Sequence, residues 1–173
     1  MNKILTIIIP TYNMEKYLRR CLDSLIIDEE GMKQLEVLVI NDGSKDSSSQ
    51  IAHEYQDKYP DTYRVIDKEN GNYGSCINRG LKEATGKYVK VLDADDWFEN
   101  ATFNLFLKYI RKVDVDLILS SCIIVDEFGN KNGMFGVPFG WALKTYFFNY
   151  QNMIHYSNHR NEVNKQYHHC YSK

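Results

Sequence analysis

Two kinds of apolar pattern alternate along the first two thirds of the chain. ILTIII (Ile4–Ile9) and EVLVI (Glu36–Ile40) are apolar at consecutive positions, which suits strands covered on both faces. Between them Tyr17, Leu18, Cys21, Leu22, Leu25 and Ile26 fall on one helical stripe, with Asn13 placed to cap that helix. The pattern then predicts a helix over about Ser47–Lys58, a strand at Tyr63–Asp67, and a helix over CINRGLKEAT stopped by Gly86. KYVKVL reads as a fourth strand, and Asn100 is placed to cap a helix carrying Phe103, Phe106, Leu107 and Ile110. VDLILSSCIIVD reads as a fifth strand and EFGNKNG as a turn. Strands alternating with helices predict an α/β fold with a mostly parallel central sheet.

The last third reads differently. From Phe139 onward the chain is rich in aromatics and Asn, with weak periodicity; part of WALKTYFFNYQNMI is expected to be helical, with no closing strand or helix. The expectation is one domain, with residues 1–128 carrying the regular pattern and 129–173 the weakly patterned remainder.

Topology turns this pattern into a site. Right-handed crossovers allow the strand order 3-2-1-4, which puts strands one and four side by side where the winding reverses. Ligands of open α/β sheets bind outside the carboxyl ends of the strands at that point. The segments that follow strands one, two and four are PTYN (Pro10–Asn13), NDGS (Asn41–Ser44) and DADD (Asp93–Asp96), so all three are expected to open onto one crevice.

Charge sharpens the question. The 173 residues carry a formal net charge of -2, which argues against general affinity for nucleic acid or anionic membrane. ILTIII is too short for a signal-peptide core and is closed by Pro10, so no export or membrane-spanning segment is expected and a cytoplasmic location is. The four cysteines lack CxxC spacing, which disfavours a disulfide framework or zinc site and fits a reducing compartment. His155, His159, His168 and His169 lack an HExxH pattern and read as surface residues.

Against that mild overall charge, three carboxylates crowd at Asp93, Asp95 and Asp96. Like charges this close disfavour one another's ionised forms. Asp93 and Asp95 are two apart, so in an extended segment they face the same side. Such oxygen ligands suit Mg²⁺ or Mn²⁺, which complete their shells with water and substrate phosphates. A lone DxD is more often a solvated turn, with Asp96 or Glu99 capping the next helix. Asp42 in NDGS is likewise strong turn chemistry, and the glycines of NGNYGS can simply supply positive φ. What raises the reading is the coincidence of these signals at successive strand ends.

TIIIPTYNMEKYLRRCLDSL, EVLVINDGSKDSS and KENGNYGSCINRGLKEATGKYVKVLDADDWF together resemble the nucleotide-diphospho-sugar transferases of glycosyltransferase family 2, over roughly Ile4–Asp126. The resemblance implies the GT-A fold, a Rossmann-like three-layer αβα sandwich. It also implies inverting, metal-dependent transfer of a sugar from a UDP-sugar to a hydroxyl on a glycan, lipid-linked or protein acceptor. Carried over, Pro10, Thr11, Tyr12, Asn13 and Asp42 hold the nucleoside, while Asn70, Gly71, Gly74 and Asn78 line the donor side. Asp93 lies near the ribose and phosphates, and Asp95, with Asp93, is the metal ligand.

Two departures stand out. Ile77 occupies a place where many relatives carry arginine, so a basic contact to the diphosphate is either missing or supplied by Lys68 or Arg79. The downstream carboxylate pair that serves as catalytic base is not recognisable; after Glu127 only Glu162 remains, leaving Asp126 and Glu127 as weak candidates. The resemblance makes residues 1–128 the nucleotide-sugar-binding part and 129–173 an incomplete acceptor-side or oligomerisation part, and so also accommodates a truncated module that binds nucleotide or forms a homo-oligomer without efficient turnover. A nucleotidyltransferase ranks last, because PTYNMEK lacks a glycine- and basic-rich first loop.

Overall fold

A computed structural model describes residues 2–120, 122–126, 130–135, 147–148 and 169–172. Residues up to Val113 form one compact unit and residues 114–172 a second.

The first unit is built on strands β1 (Leu5–Thr11), β2 (Leu35–Asn41), β3 (Tyr63–Asp67) and β4 (Tyr88–Val91). All pair in parallel in the order β3-β2-β1-β4, with Leu5 facing both Leu35 and Tyr88 and Val37 facing Tyr63. This is the order expected from right-handed crossovers. The connections carry α1 (Glu15–Asp23), α2 (Glu29–Gln34), α3 (Ser48–Lys58) and α4 (Asn72–Glu83), and α5 (Asn100–Ile110) follows β4.

Both sheet faces are covered, so the first two strands are buried along their whole length and mostly apolar. Ile8, Leu38, Ile40 and Val89 pack with Cys76 and Ala84 from the α4 segment. Alternation sends Ile7, Ile9, Val37 and Val39 to the other face, and all four are fully buried. There Tyr63 anchors α1 by donating its hydroxyl to the Leu22 carbonyl at 2.8 Å. Pro10 is tolerated inside β1 because β4 pairs only as far as Leu92, whose N–H donates to the Ile8 carbonyl at 2.9 Å. Pro10 projects to that same side one pleat further on, where a missing N–H leaves no ladder bond unmade.

Several local expectations are corrected. Asn13 does not cap α1: the cap position is Met14, and Asn13 turns the chain with φ +54°. Glu99 caps α5, its carboxylate accepting from the N–H groups of Ala101 (3.2 Å) and Thr102 (2.7 Å). Asn100 instead donates to the carbonyls of Asp23, Ser24 and Ile26 just after α1. The fourth helix starts at Asn72, earlier than expected, and ends at Glu83 rather than at Gly86. Gly86 serves packing, since a Cβ there would lie 2.6 Å from the Thr6 backbone nitrogen.

In the second unit the expected fifth strand is two, β5 (Leu117–Leu119) and β6 (Cys122–Val125). β6 pairs antiparallel with β7 (Lys131–Phe135) around the EFGNKNG segment, of which residues 127–129 lie outside the described residues. β5 pairs antiparallel with β8 (Phe147–Phe148) and β9 (His169–Ser172). The chain therefore does end in a strand, and Phe147–Phe148, inside the segment expected to be partly helical, is extended.

Candidate functional site

The ends of β1 and β2 are stitched together. Asn13 Oδ1 accepts from the Lys45 N–H at 2.7 Å, and the Asn13 N–H donates to Ser44 Oγ at 3.1 Å. The N–H of Met14 donates to Ser48 Oγ and that of Glu15 to Asp46 Oδ2, at 2.7 and 3.1 Å. Beside this seam lies an open crevice of about 510 Å³ lined by Tyr12, Asn41, Gly43, Lys45, Lys68 and Asn70, among others. Tyr12 is half exposed at its edge.

Asp42 is buried beneath the crevice and holds its floor. Its carboxylate pairs with Lys68 and its Oδ1 accepts from the Gly71 N–H at 2.9 Å, while Asn70 Nδ2 donates to the Asp42 carbonyl at 3.0 Å. Burial pushes this carboxyl up, but the Lys68 ammonium and the Gly71 N–H outweigh it and hold Asp42 below the usual carboxylate range. Lys68 also donates to the Glu69 carbonyl at 2.7 Å and to Ser75 Oγ at 3.0 Å. A Cβ on Gly71 would sit 2.9 Å from Ser75 Oγ and 3.1 Å from Lys68 Nζ, so a side chain here crowds the groups that hold Asp42.

A second carboxylate orders the NDGS loop from the side. Asp67 accepts from Asn41 Nδ2 (2.7 Å) and Ser49 Oγ (2.9 Å) and pairs with His53 Nε2 (2.8 Å). Burial raises its carboxyl, and the bonds from Asn41, His53 and Ser49 more than reverse this. Asn41 in turn accepts from the Ser44 N–H at 3.2 Å, which closes the turn around Gly43 at φ +73°.

The DADD segment is a tight turn rather than extended chain: the Asp96 N–H donates to the Asp93 carbonyl at 3.0 Å. Neighbouring side chains grip it. Tyr73 donates its hydroxyl to Asp93 Oδ1 at 2.6 Å. Arg20 reaches the Asp95 carbonyl at 3.4 Å while stacking over Trp97, its guanidinium carbon 3.7 Å from the ring centre. Cys21 Sγ lies 3.8 Å from the Asp93 carbonyl, and burial followed by the fields of Asp96, Asp95 and Asp93 pushes this thiol far above the ordinary cysteine range. Burial, the bond to Asp93 and the other two carboxylates likewise push the Tyr73 hydroxyl up, so it remains a proton donor. Tyr73 and Arg20 were not singled out from sequence. The usable signals were the lone aromatic within NGNYGS and the paired cations of YLRRCL.

The donor chemistry of this turn fits Mg²⁺ or Mn²⁺: hard carboxylate oxygens, two residues apart, at a strand end. Among the described residues no group of three or more carboxylate, His or Cys side chains is gathered for a metal, so Asp93 and Asp95 would supply a partial shell for phosphate and water to complete.

Other expected residues are placed as follows. Pro10 and Thr11 end β1 beside Ile40 and Asn41. Gly74 and Asn78 are exposed on α4. Arg79 pairs with Glu83 on its own helix at 3.0 Å, while Lys68 is at the crevice but bound to Asp42. Asp126 accepts from the Asn130 N–H (2.8 Å) and side-chain amide (2.9 Å), which closes the β6–β7 turn. Glu127, Glu162, His155, His159 and His168 lie outside the described residues, as does the side chain of His169. No helix among the described residues is long and apolar enough to cross a membrane.

Residues 6–171 match the model of Glycosyl transferase family 2. "Glycosyltransferase GlyA" of Streptococcus pneumoniae serotype 4 is 35% identical over 76% of this chain and 18% of its own length. "Minor teichoic acid biosynthesis protein GgaB" of Bacillus subtilis is 36% identical over 65% of this chain and 13% of its own. Among solved structures, S. aureus TarS 1–349 in complex with UDP superposes with a TM-score of 0.64 at 29% identity, covering 79% of this chain and 38% of that one. This chain thus spans a small part of those curated relatives. The TarS likeness assigns its architecture to the GT-A fold.

Proposed function

We propose that this chain, which belongs to glycosyl transferase family 2, binds a nucleotide-diphospho-sugar, with UDP as its nucleotide, for cation-assisted, inverting transfer to a hydroxyl acceptor. One observation carries the reading. The turn Asn70–Tyr73 is bonded at one end to Asp42 after β2 and at the other to Asp93 after β4, so a crevice and a carboxylate turn are held by one short segment. TarS forms crystalline complexes with UDP and with UDP-GlcNAc, which favours UDP as the nucleotide here.

In this reading Tyr12, Asn41 and Asn70 receive the nucleoside in the crevice, which Asp42 and Lys68 hold in shape from below. Asp93 and Asp95 would hold the cation. Bound there, Mg²⁺ or Mn²⁺ supplies Lewis-acid stabilisation of the charge that grows on the departing diphosphate. The first turn of α4 adds the positive end of a helix dipole on the same side. Transfer breaks the bond between the anomeric carbon and the diphosphate oxygen, and the electron pair leaves with the diphosphate. The acceptor oxygen forms the new bond from the opposite face and gives its proton to a base.

Titration calorimetry with UDP tests the reading. UDP is expected to bind with Mn²⁺ and much more weakly in EDTA, because the diphosphate and the aspartates repel each other without a cation. Asp95→Ala is expected to remove the difference. Equal affinity for UDP in Mn²⁺ and in EDTA overturns the proposal.

A further inference from the structure

Tyr73 touches the carboxylate turn directly. It stands on the first turn of α4, 20 residues before Asp93 in sequence, yet its hydroxyl lies 2.6 Å from Asp93 Oδ1. The ring is 52% exposed, so this hydrogen bond rather than deep packing fixes the hydroxyl in place. The backbone is bent to deliver it: Asn72, immediately before, sits in the left-handed region at φ +73°. That conformation is uncommon for a residue with a side chain, and such outliers persist where the surroundings enforce them. Here the enforcement is visible on both sides, with Gly71 bonded to Asp42 and Asn72 Oδ1 accepting from the Ser75 N–H at 3.2 Å.

From this geometry we infer that Tyr73 is a positioning residue for the cation site, its hydroxyl setting the orientation of the Asp93 carboxylate. The inference rests on the cation-assisted reading of the site and adds to it a residue outside the DxD pair. A proton donated to one carboxylate oxygen fixes the torsion of the group and thereby aims the second oxygen. It also offsets part of the repulsion among Asp93, Asp95 and Asp96 before any cation arrives. Partners that orient a metal-binding carboxylate in this way are worth about 10–100-fold in metal affinity.

The test is Mn²⁺ binding to the whole chain in the presence of UDP, read from the free-Mn²⁺ electron paramagnetic resonance signal. Tyr73→Phe removes only the hydroxyl from a half-exposed ring. It is expected to weaken Mn²⁺ binding about tenfold while leaving UDP affinity in EDTA unchanged. If Tyr73 merely supports the turn, UDP affinity in EDTA falls as well, and that result overturns the inference. Unchanged or tighter Mn²⁺ binding by Tyr73→Phe also overturns it. The two levels separate cleanly. Mn²⁺ binding that Asp95→Ala abolishes and Tyr73→Phe leaves intact sinks the role of Tyr73 alone; a wild-type chain that binds no Mn²⁺ sinks the cation reading and this inference together.

Discussion

The backbone N–H of Gly71 donates to Asp42 Oδ1 at 2.9 Å, across a sequence separation of 29 residues. This bond joins the loop after β2 to the start of α4. The same short turn carries Tyr73, whose hydroxyl reaches Asp93 after β4. Since β1 lies between β2 and β4, the start of α4 ties together loops from strands on both sides of it. The two loops are therefore linked through Asn70–Tyr73, and the predictions below test that link and the packing beneath it.

Lys68→Met should expose the dependence of Asp42 on its cation. The pair is nearly enclosed, with side-chain exposures of 4% for Asp42 and 19% for Lys68. Removing one partner of such a pair costs about 3 kcal/mol at neutral pH, because a charge is left buried and unpaired. In the native chain the folded Asp42 carboxyl is held low, so its contribution is present above the unfolded value of about 3.9 and is lost as pH falls through the lower folded value. In Lys68→Met burial dominates and the folded carboxyl rises instead, so the penalty is largest at neutral pH and shrinks in acid. Urea unfolding at pH 7 and pH 4 checks this; a stability gap as large at pH 4 as at pH 7 contradicts it.

Gly80→Ala tests how closely α4 lies on the sheet. An added Cβ would stand 2.4 Å from Ile8 Cγ2 and 2.8 Å from Ile8 Cδ1, and Ile8 is fully buried. Either the isoleucine leaves its rotamer or the helix lifts, at about 1–3 kcal/mol. Ile8→Ala should cost less in the Gly80→Ala chain than in the native one, since it removes Cγ1, Cγ2 and Cδ1 together. Thermal unfolding of the single and double variants decides; strictly additive losses would contradict direct packing.

The parts of this fold legible in the sequence are those governed by burial. Ile7–Ile9 and Val37–Ile40 announce strands covered on both faces, and crossover handedness then dictates the sheet order. What escaped was governed by single polar bonds. The helix at Glu29–Gln34 has almost no apolar periodicity; it stands because Asp28 accepts from the Gly31 N–H at 2.8 Å and Thr62 donates to the Met32 carbonyl at 2.9 Å. Asn13 looked like a cap because asparagine favours caps, but the same short amide also tolerates φ +54°, and a bond to Lys45 decided between them. At the site, the clustering of strand ends was readable from order alone. The hydroxyl of Tyr73 on Asp93 depends on where a helix begins, and the start of α4 was placed four residues late.

Glu99→Ala should fray α5 locally. Its carboxylate is held below the usual glutamate range, first by Thr102 and then by the Ala101 N–H, so the cap is present above the unfolded value and lost as pH falls through the depressed folded one. Amide exchange at Ala101 and Thr102 is expected to speed up in the variant at neutral pH, with Phe103 packing keeping the rest of the helix protected. Unchanged exchange at both amides would show that the helix start is held by other contacts.

Gly71→Ala should separate nucleotide binding from stability. The backbone there has φ −146° and ψ 18°, outside the left-handed region that favours glycine, so the substitution acts chiefly through its Cβ. That atom would crowd Ser75 Oγ at 2.9 Å and Lys68 Nζ at 3.1 Å. Both neighbours can give way, since one is a rotatable hydroxyl and the other the end of a long side chain, so the fold should lose less than about 1 kcal/mol. Lys68 cannot move without loosening its grip on Asp42, and Asn70 and Lys68 both line the crevice. UDP affinity with Mn²⁺ is therefore expected to fall about tenfold, roughly 1.4 kcal/mol, with little change in the unfolding midpoint. Gly74→Ala distinguishes crowding within the chain from crowding against ligand. Its Cβ would meet Asn72 Oδ1 at 3.5 Å, an ordinary contact, so a comparable loss of UDP affinity there reports the nucleotide itself lying against α4. Undiminished UDP binding by Gly71→Ala would mean that the Asp42–Lys68 pair can shift without disturbing the crevice, and the coupling argued from that bond would fall.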